Sequence, residues 1–113
     1  MLTNSFNNII TDSNITYTID QFNNNHLIRQ FDNTDSYDFL PNATDFINLF
    51  LIKEIKQTYS WKITNDTNNI LIINPGYNMI FRDNVYIIPP NNTFEFIACI
   101  FSIDPIIIGI VKI

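Results

Sequence analysis

The alternation of apolar and polar positions predicts β-strands over most of the chain. In "TYSWKIT" (58–64), aromatic and aliphatic side chains alternate with Ser, Lys and Thr. A period of two residues is typical of a strand with one buried face and one wet face. Turn-forming Asn, Asp, Pro and Gly separate such segments at roughly 8–12-residue spacing, which favours an antiparallel sandwich or barrel. The other predicted strands are 15–19, 26–31, 70–74, 79–82, 85–89, 93–103 and 106–113.

One segment has a helical period instead. "LPNATDFINLF" (40–50) places Phe46, Leu49 and Phe50 on one helical face. Asn42 is the predicted N-cap of this helix, and Asp45 favours the positive end of the helix dipole. The predicted fold is therefore an all-β antiparallel β-sandwich with one short helix near residues 43–52.

The N-terminal part of the chain predicts little regular structure. Residues 1–14 are polar and rich in asparagine, so we expect a flexible N-terminal lead-in. Residues 15–113 then form a single sandwich domain. The segment "DNTDSYD" (32–38) is predicted to be a loop. "MLTNSFNNII" has neither a basic start nor a long apolar core, so no signal peptide is predicted.

The last strand is apolar on both sides, because "IIIGIVKI" (106–113) carries aliphatic residues at odd and even positions. Such a strand needs cover on both faces, and a two-layer sandwich covers only one. We therefore predict that a neighbouring subunit of a homotrimer covers the second face of this strand. A monomer covered by its own helix and N-terminal segment, and a dimer, are the alternatives. The predicted subunit interface consists of Ile97, Cys99, Phe101, Ile106, Ile107, Ile108 and Ile110.

Charge excludes several kinds of partner. The net charge is −5 and only six residues are Lys or Arg, so nucleic acid and anionic membrane surfaces are not predicted partners. The terminal ribbon is far shorter than the roughly 20 residues of a membrane-spanning helix, so no membrane insertion is predicted. The chain has 18 Asn and 23 Ile, both encoded by AT-rich codons, but only four Lys. The low lysine count favours surfaces that are buried between subunits.

The residue types needed for catalysis are scarce. His26 and Cys99 are the only histidine and cysteine, and Cys99 lies in an apolar run that predicts a buried structural thiol. No nucleophile–base motif, phosphate loop or zinc spacing occurs, so we predict no enzymatic activity, cofactor or metal. Calcium is the alternative at Asp32, Asp35 and Asp38, but that segment lacks the Gly and closing Glu of an EF-hand, and a solvated acidic loop is favoured.

Aromatic residues admit two interpretations. They could form an exposed platform for a carbohydrate, or they could fill the core. Tyr59, Trp61, Phe94 and Phe96 recur at the strand period, which favours the core.

The order of several motifs resembles a known family of domains. "YTIDQF" and "HLIRQF" precede "LPNATDFINLF", which is followed by "YSWKITN", "ILIINPG" and "VYIIPPNNTFEF". Over residues 15–113 the chain resembles the C-terminal head or knob domains of trimeric surface and fibre proteins of large DNA viruses, virophages and some phages. It departs from them in having no Gly-X-Y stalk ahead of the domain and only two glycines, Gly76 and Gly109.

The resemblance implies a β-sandwich related to jelly rolls, trimeric assembly, and a role at the virion surface or in host contact. The expected function is a viral structural or surface-adhesion module. Its expected partners are further copies of itself, other virion proteins, or a host surface glycan. The alternative is a small non-virion binding or regulatory protein made in infected cells, so the expected location is the virion surface or the host-cell cytoplasm.

Overall fold

The computed structural model describes residues 7–22, 24–32 and 34–113, and this part of the chain contains nine strands and one α-helix. The helix, α1, spans Ala43–Phe46, and 3-10 helices occupy Ile19–Phe22 and Ile47–Leu49. The strands are β1 (Asn7–Ile10), β2 (His26–Gln30), β3 (Ser36–Phe39), β4 (Thr58–Asn65), β5 (Leu71–Asn74), β6 (Met79–Phe81), β7 (Tyr86–Ile88), β8 (Asn92–Ile103) and β9 (Ile106–Lys112).

The strands form two sheets. The large sheet has the order β1-β2-β4-β8-β9-β6, and the small sheet has the order β3-β5-β7. Along the chain, consecutive strands from β2 to β8 alternate between the large and the small sheet. The predicted mostly-β fold with two sheets and one short helix is confirmed.

The prediction that strand pairing is predominantly antiparallel is wrong. Of the seven strand pairs among the described residues, β1–β2, β2–β4, β3–β5 and β6–β9 are parallel. Only β4–β8, β5–β7 and β8–β9 are antiparallel. The alternation between sheets is the physical reason, because a tight turn joins two antiparallel neighbours, whereas a crossover through the other sheet can return the chain in the same direction.

Three local predictions differ from the structure. Residues 7–10 of the predicted flexible lead-in form β1, which pairs with β2, while residues 1–6 lie outside the described residues. The predicted strand 15–19 makes only one bridge, at Thr16, because the chain turns where the Gln21 side chain accepts a hydrogen bond from Thr18 N at 2.8 Å. The predicted loop 32–38 contains the start of β3.

Helix α1 begins as predicted and ends early. Asn42 is the N-cap, and its side-chain oxygen accepts a hydrogen bond from Asp45 N at 2.8 Å. After Phe46 the chain tightens into the 3-10 helix and becomes extended at Phe50. Both phenylalanines are buried. Residues 51–56 are all exposed, so no apolar face is left to extend the helix towards residue 52.

The Asn42 cap gives a stability prediction. We expect Asn42→Ala to lower the free energy of unfolding by about 1 kcal/mol, because Asp45 N loses its only hydrogen-bond acceptor in the first turn. Asn42→Asp keeps the acceptor and is the control, with an expected loss well below that of alanine. Urea denaturation of the three proteins makes the comparison. Equal midpoints for wild type and Asn42→Ala would show that the cap has no stabilising effect.

Aromatic rings fill the centre of the space between the sheets. Trp61 stacks on Phe96 with ring centroids 4.6 Å apart, and Phe22 and Phe46 meet Trp61 edge-on at 5.2 and 5.9 Å. All four side chains are buried. Residues on β4 and β8 thus point alternately into this core and away from it, which leaves the opposite side of the large sheet as an outer face.

A buried ion pair joins the two sheets. Arg29 on β2 and Asp38 on β3 are both fully buried, and Arg29 Nε lies 2.7 Å from Asp38 Oδ2. The hydroxyls of Tyr17 and Ser36 donate to the same carboxylate at 2.6 and 2.7 Å. The guanidinium also donates to the carbonyls of Thr11 and two further residues, Ser13 and Gln30. Every charged atom therefore has a partner, as a buried charge requires.

Tyr17 makes this network sensitive to alkaline pH. Burial, and then the neighbouring Asp38 carboxylate, raise the pKa of Tyr17 well above its ordinary value of 10.0. The folded protein therefore keeps this proton at a pH where the unfolded chain has lost it. The resulting stability is fully present below about pH 10 and is lost as the pH rises further.

We therefore expect the urea midpoint to fall between about pH 9 and about pH 11, and to fall less for Tyr17→Phe than for wild type. Phenylalanine has no proton to lose, although its own midpoint is lower at neutral pH because the hydrogen bond to Asp38 is gone. Tyr59, whose pKa is also raised by burial, is present in both proteins and cancels from the comparison. The same fall in both proteins would exclude Tyr17 as the cause.

Candidate functional site

The structure separates the residues that catalysis would need. His26 lies on β2 and Cys99 on β8, with β4 between them, and the register places Cys99 opposite Thr58 but His26 opposite Lys62. Two strand spacings across the sheet and four residues along it put the two residues on the order of 16 Å apart. His26 Nε2 instead lies 2.7 Å from the Thr64 hydroxyl. The sheet therefore holds no Cys–His pair.

The three aspartates considered for calcium point in different directions. Asp38 is buried against Arg29, whereas Asp32 and Asp35 are exposed. Asp35 Oδ1 accepts a hydrogen bond from Ile70 N at 2.9 Å. Within the described ranges, no group of three or more His, Cys, Asp or Glu is arranged to hold a metal ion.

The aromatic residues of β4 and β8 belong to the core. Trp61 and Phe96 are buried, and Tyr59 and Phe94 pack against the core cluster. The core interpretation is confirmed for these four residues, so they do not form an exposed carbohydrate platform. Among the residues that the structure describes, the exposed aromatic side chains are Tyr37, Phe39, Tyr77 and Phe101.

An apolar groove crosses the outer face of the large sheet over β8, β9 and β6. Its volume is about 380 Å³. Ile80, Gly109 and Cys99 are direct neighbours across three strands, and Ile97 is paired with Val111. Ile110 lines the groove as well, but its side chain is buried in the core. We call the remaining surface the groove face; its members are Ile80, Arg82, Ile97, Cys99, Phe101, Gly109 and Val111.

Phe101 and Gly109 shape the groove together. The register of β8 and β9 shifts between Ile100 and Ser102, which leaves Phe101 unpaired in a bulge and directs its ring outwards. The ring lies over Gly109, where a Cβ atom would stand 2.1 Å from Phe101 Cζ. Phe101 is nevertheless 53% exposed. The absence of a side chain at Gly109 therefore allows the Phe101 ring to pack against the sheet.

The groove contains one charged group. Arg82 follows β6 at the end of the groove, and its backbone N donates to Ile110 O at 3.2 Å. Its exposed guanidinium forms no ion pair with a described residue. The groove face is therefore an apolar surface with an unneutralised positive charge at one end.

The structure divides the predicted interface residues into three groups. Ile97, Cys99 and Phe101 lie together on the groove face. Ile108 and Ile110 are buried in the core of the subunit, which differs from their predicted place at an interface, although Ile110 also lines the groove. Ile106 packs partly against the core, and Ile107 is half-buried. Sequence reasoning missed Ile80 and Arg82, which reach the groove only because β6 pairs with β9 from far along the chain.

A second apolar surface lies on the outer side of the small sheet. Tyr37, Ile72 and Ile87 are direct neighbours on β3, β5 and β7, and Phe39 lies two residues beyond Tyr37 on the same side. Tyr37 and Ile87 are 50% and 52% exposed. We call these four residues the small-sheet face. The carboxylates of Asp12 and Asp35 flank it, since both share a depression with Tyr37.

The loop after the 3-10 helix is a third exposed apolar element. Leu51 is 97% exposed, and Ile52 and Ile55 are also exposed. The loop is fixed to β8, because Lys56 N donates to Ile100 O at 2.7 Å and Ile100 N donates to Gln57 O. It therefore lies at the same end of the large sheet as the tip of the β8–β9 hairpin.

Comparison of the chain with protein families, with curated proteins and with solved structures finds no match. In the described part of the chain, no helix has the length and apolar character needed to span a membrane.

Proposed function

We propose that the protein is a non-enzymatic viral structural or surface-adhesion module, a head domain that acts as a homotrimer. The observation that carries this proposal is the groove face, an apolar surface on the outside of a complete two-layer fold. Its opposite side already covers the core, so the face itself has no structural role within one subunit. The sequence resemblance to trimeric head domains supports the same assignment.

The energetics of burial favour a second subunit packed over the groove face. Full burial of one Ile, Val or Phe side chain contributes about 1.5–3 kcal/mol, and the groove face offers four such side chains in each copy. Association costs an estimated 4–15 kcal/mol in lost freedom, which several such contacts in a cyclic assembly offset. Closing the assembly also protects apolar surface that would otherwise promote aggregation.

We also propose that the sandwich is related to jelly rolls. The alternation of consecutive strands between two sheets supports this relation, since a jelly roll distributes its strands between two facing sheets. The four parallel pairs are a departure from the antiparallel jelly-roll pattern.

Quantitative mass spectrometry of purified virus particles tests the functional class. A structural or adhesion module is expected in the particles in a constant ratio to the capsid proteins, retained after washing at high salt. Its presence in infected-cell lysate together with its absence from particles would contradict the proposal, and would favour a small binding or regulatory protein.

A further inference from the structure

We propose that the small-sheet face binds a neutral glycan, with sugar rings stacked on Tyr37 and Phe39 and sugar hydroxyls bound by the polar side chains beside Tyr37. This inference rests on the adhesive role in the proposed function, for which it names a class of ligand and a site. It concerns a surface other than the groove face and does not depend on the number of subunits in the assembly.

Two exposed aromatic rings lie on the same side of β3. Tyr37 and Phe39 are separated by one residue, so their side chains leave the outer side of the strand about 7 Å apart. The strand is held on both edges, by β5 on one side and by the preceding segment on the other, where Phe39 N donates to Ile15 O at 2.9 Å and Tyr17 N donates to Phe39 O at 2.8 Å. Both rings therefore stand on a fixed part of the backbone.

The chemistry of these rings suits the apolar side of a sugar. The face of an aromatic ring carries partial negative charge, and it attracts the weakly positive C–H groups that one side of a pyranose ring presents. Ile72 and Ile87 extend the apolar surface next to Tyr37 across the small sheet. A contiguous exposed apolar surface with a polar border is typical of a binding site.

Polar side chains beside Tyr37 supply the hydrogen bonds that sugar hydroxyls require. Asp12, Asn14 and Asp35 line, together with Tyr37, a depression of about 620 Å³. Asn14 Oδ1 accepts from Tyr37 N at 2.9 Å, and Asp35 Oδ1 accepts from Ile70 N at 2.9 Å, so both side chains are held in place. The Asn14 Nδ2 group and the Asp35 Oδ2 atom have no hydrogen-bond partner among the described residues. The depression thus offers a donor and an acceptor that are already positioned.

The charge of the depression selects neutral sugars. It has two carboxylates, and none of the described residues that line it is a Lys or Arg. A sugar that carries a carboxylate or a sulfate would be repelled. The hydroxyls of a neutral hexose can instead donate to the carboxylates, and hydrogen bonds to an ionised acceptor are the stronger kind.

Saturation-transfer NMR with named sugars tests the site. The neutral probes are lactose, cellobiose, chitobiose and mannobiose, and sialyllactose is the charged counterpart of lactose. Tyr37→Ala removes the ring, and Tyr37→Phe keeps the ring without the hydroxyl. Tyr77→Ala is the control, because Tyr77 is 69% exposed but lies outside the small-sheet face. Circular dichroism checks that each variant is folded.

We expect at least one neutral disaccharide to bind the wild-type protein, with the strongest saturation on the C–H protons of the sugar, and to bind more tightly than sialyllactose. Tyr37→Ala is expected to weaken this binding by about tenfold, since it removes a stacked ring. Tyr37→Phe is expected to lose less, and Tyr77→Ala to bind as wild type does.

Three results would overturn the inference: no signal from any of the four neutral sugars, equal binding by wild type and a folded Tyr37→Ala, or binding of sialyllactose at least as tight as that of the best neutral sugar. None of these results affects the mass of the wild-type assembly or its presence in virus particles, so the proposed function would stand. A monomeric wild type that binds a neutral sugar through Tyr37 would instead overturn the homotrimer and leave the glycan site.

Discussion

Replacing Asp38 with alanine is expected to lower the free energy of unfolding by about 3–5 kcal/mol. The substitution leaves the Arg29 guanidinium buried without its counter-charge, and it leaves the hydroxyls of Tyr17 and Ser36 without their acceptor. A domain of this size is stable by only about 5–15 kcal/mol, so the variant is expected to be close to unfolding at room temperature.

The matched control is Asp66→Ala. Asp66 is exposed and accepts one hydrogen bond from the Gln30 side chain at 3.0 Å, so its loss is expected to stay within about 0.5 kcal/mol. Chemical denaturation of both variants gives the comparison. A loss of less than about 1 kcal/mol for Asp38→Ala would show that the buried pair does not hold the sheets together.

The second large effect is a contrast between two lysine substitutions. Ile108→Lys is expected to abolish folding, because Ile108 is fully buried between the sheets and an unpaired ammonium cannot be accommodated there. Ile97→Lys is expected to leave the subunit folded and monomeric. Ile97 lies on the groove face, where the long side chain can reach water, but a neighbouring subunit could no longer pack against it.

Far-UV circular dichroism and light scattering separate these outcomes. Ile108→Lys is expected to lose the β signal, and Ile97→Lys to keep it while its mass falls to that of one chain. Thr64→Lys is the control on the polar half of the same outer face. If Ile97→Lys retained the wild-type mass, the groove face would not be a subunit interface.

The sequence predicted strands best where one face is buried and the other is wet. β4 alternates cleanly, and its observed bounds, Thr58–Asn65, differ from the prediction by one residue. In β8, Ala98 and Ile100 are buried while Ile97 and Cys99 on the opposite side are half-buried, as a period of two residues implies.

β3 was missed because its inward positions are polar. Ser36 and Asp38 point into the core, where they contact Arg29. Because both residues are polar, the sequence pattern of the segment indicated a solvated loop. Only the partner on another strand makes such residues compatible with burial, and a single sequence does not show which strand that is.

The small-sheet face was missed for the opposite reason. β5 and β7 are short and apolar on both sides, so their sequences do not show which side is exposed. The groove face was found only in part, since Ile80 joins it through the parallel pairing of β6 with β9. Nonlocal pairing of this kind leaves no periodic signal in the sequence. The same limitation explains why Ile108 and Ile110 were assigned to an interface although they lie in the core.

Sedimentation equilibrium of the wild-type protein over a range of micromolar concentrations tests the central claim, self-association through the groove face, most directly. We predict a species with three times the 13.2 kDa mass of one chain, and its loss on Ile97→Lys. A wild-type protein that keeps the mass of a single chain up to the highest concentration would contradict the account.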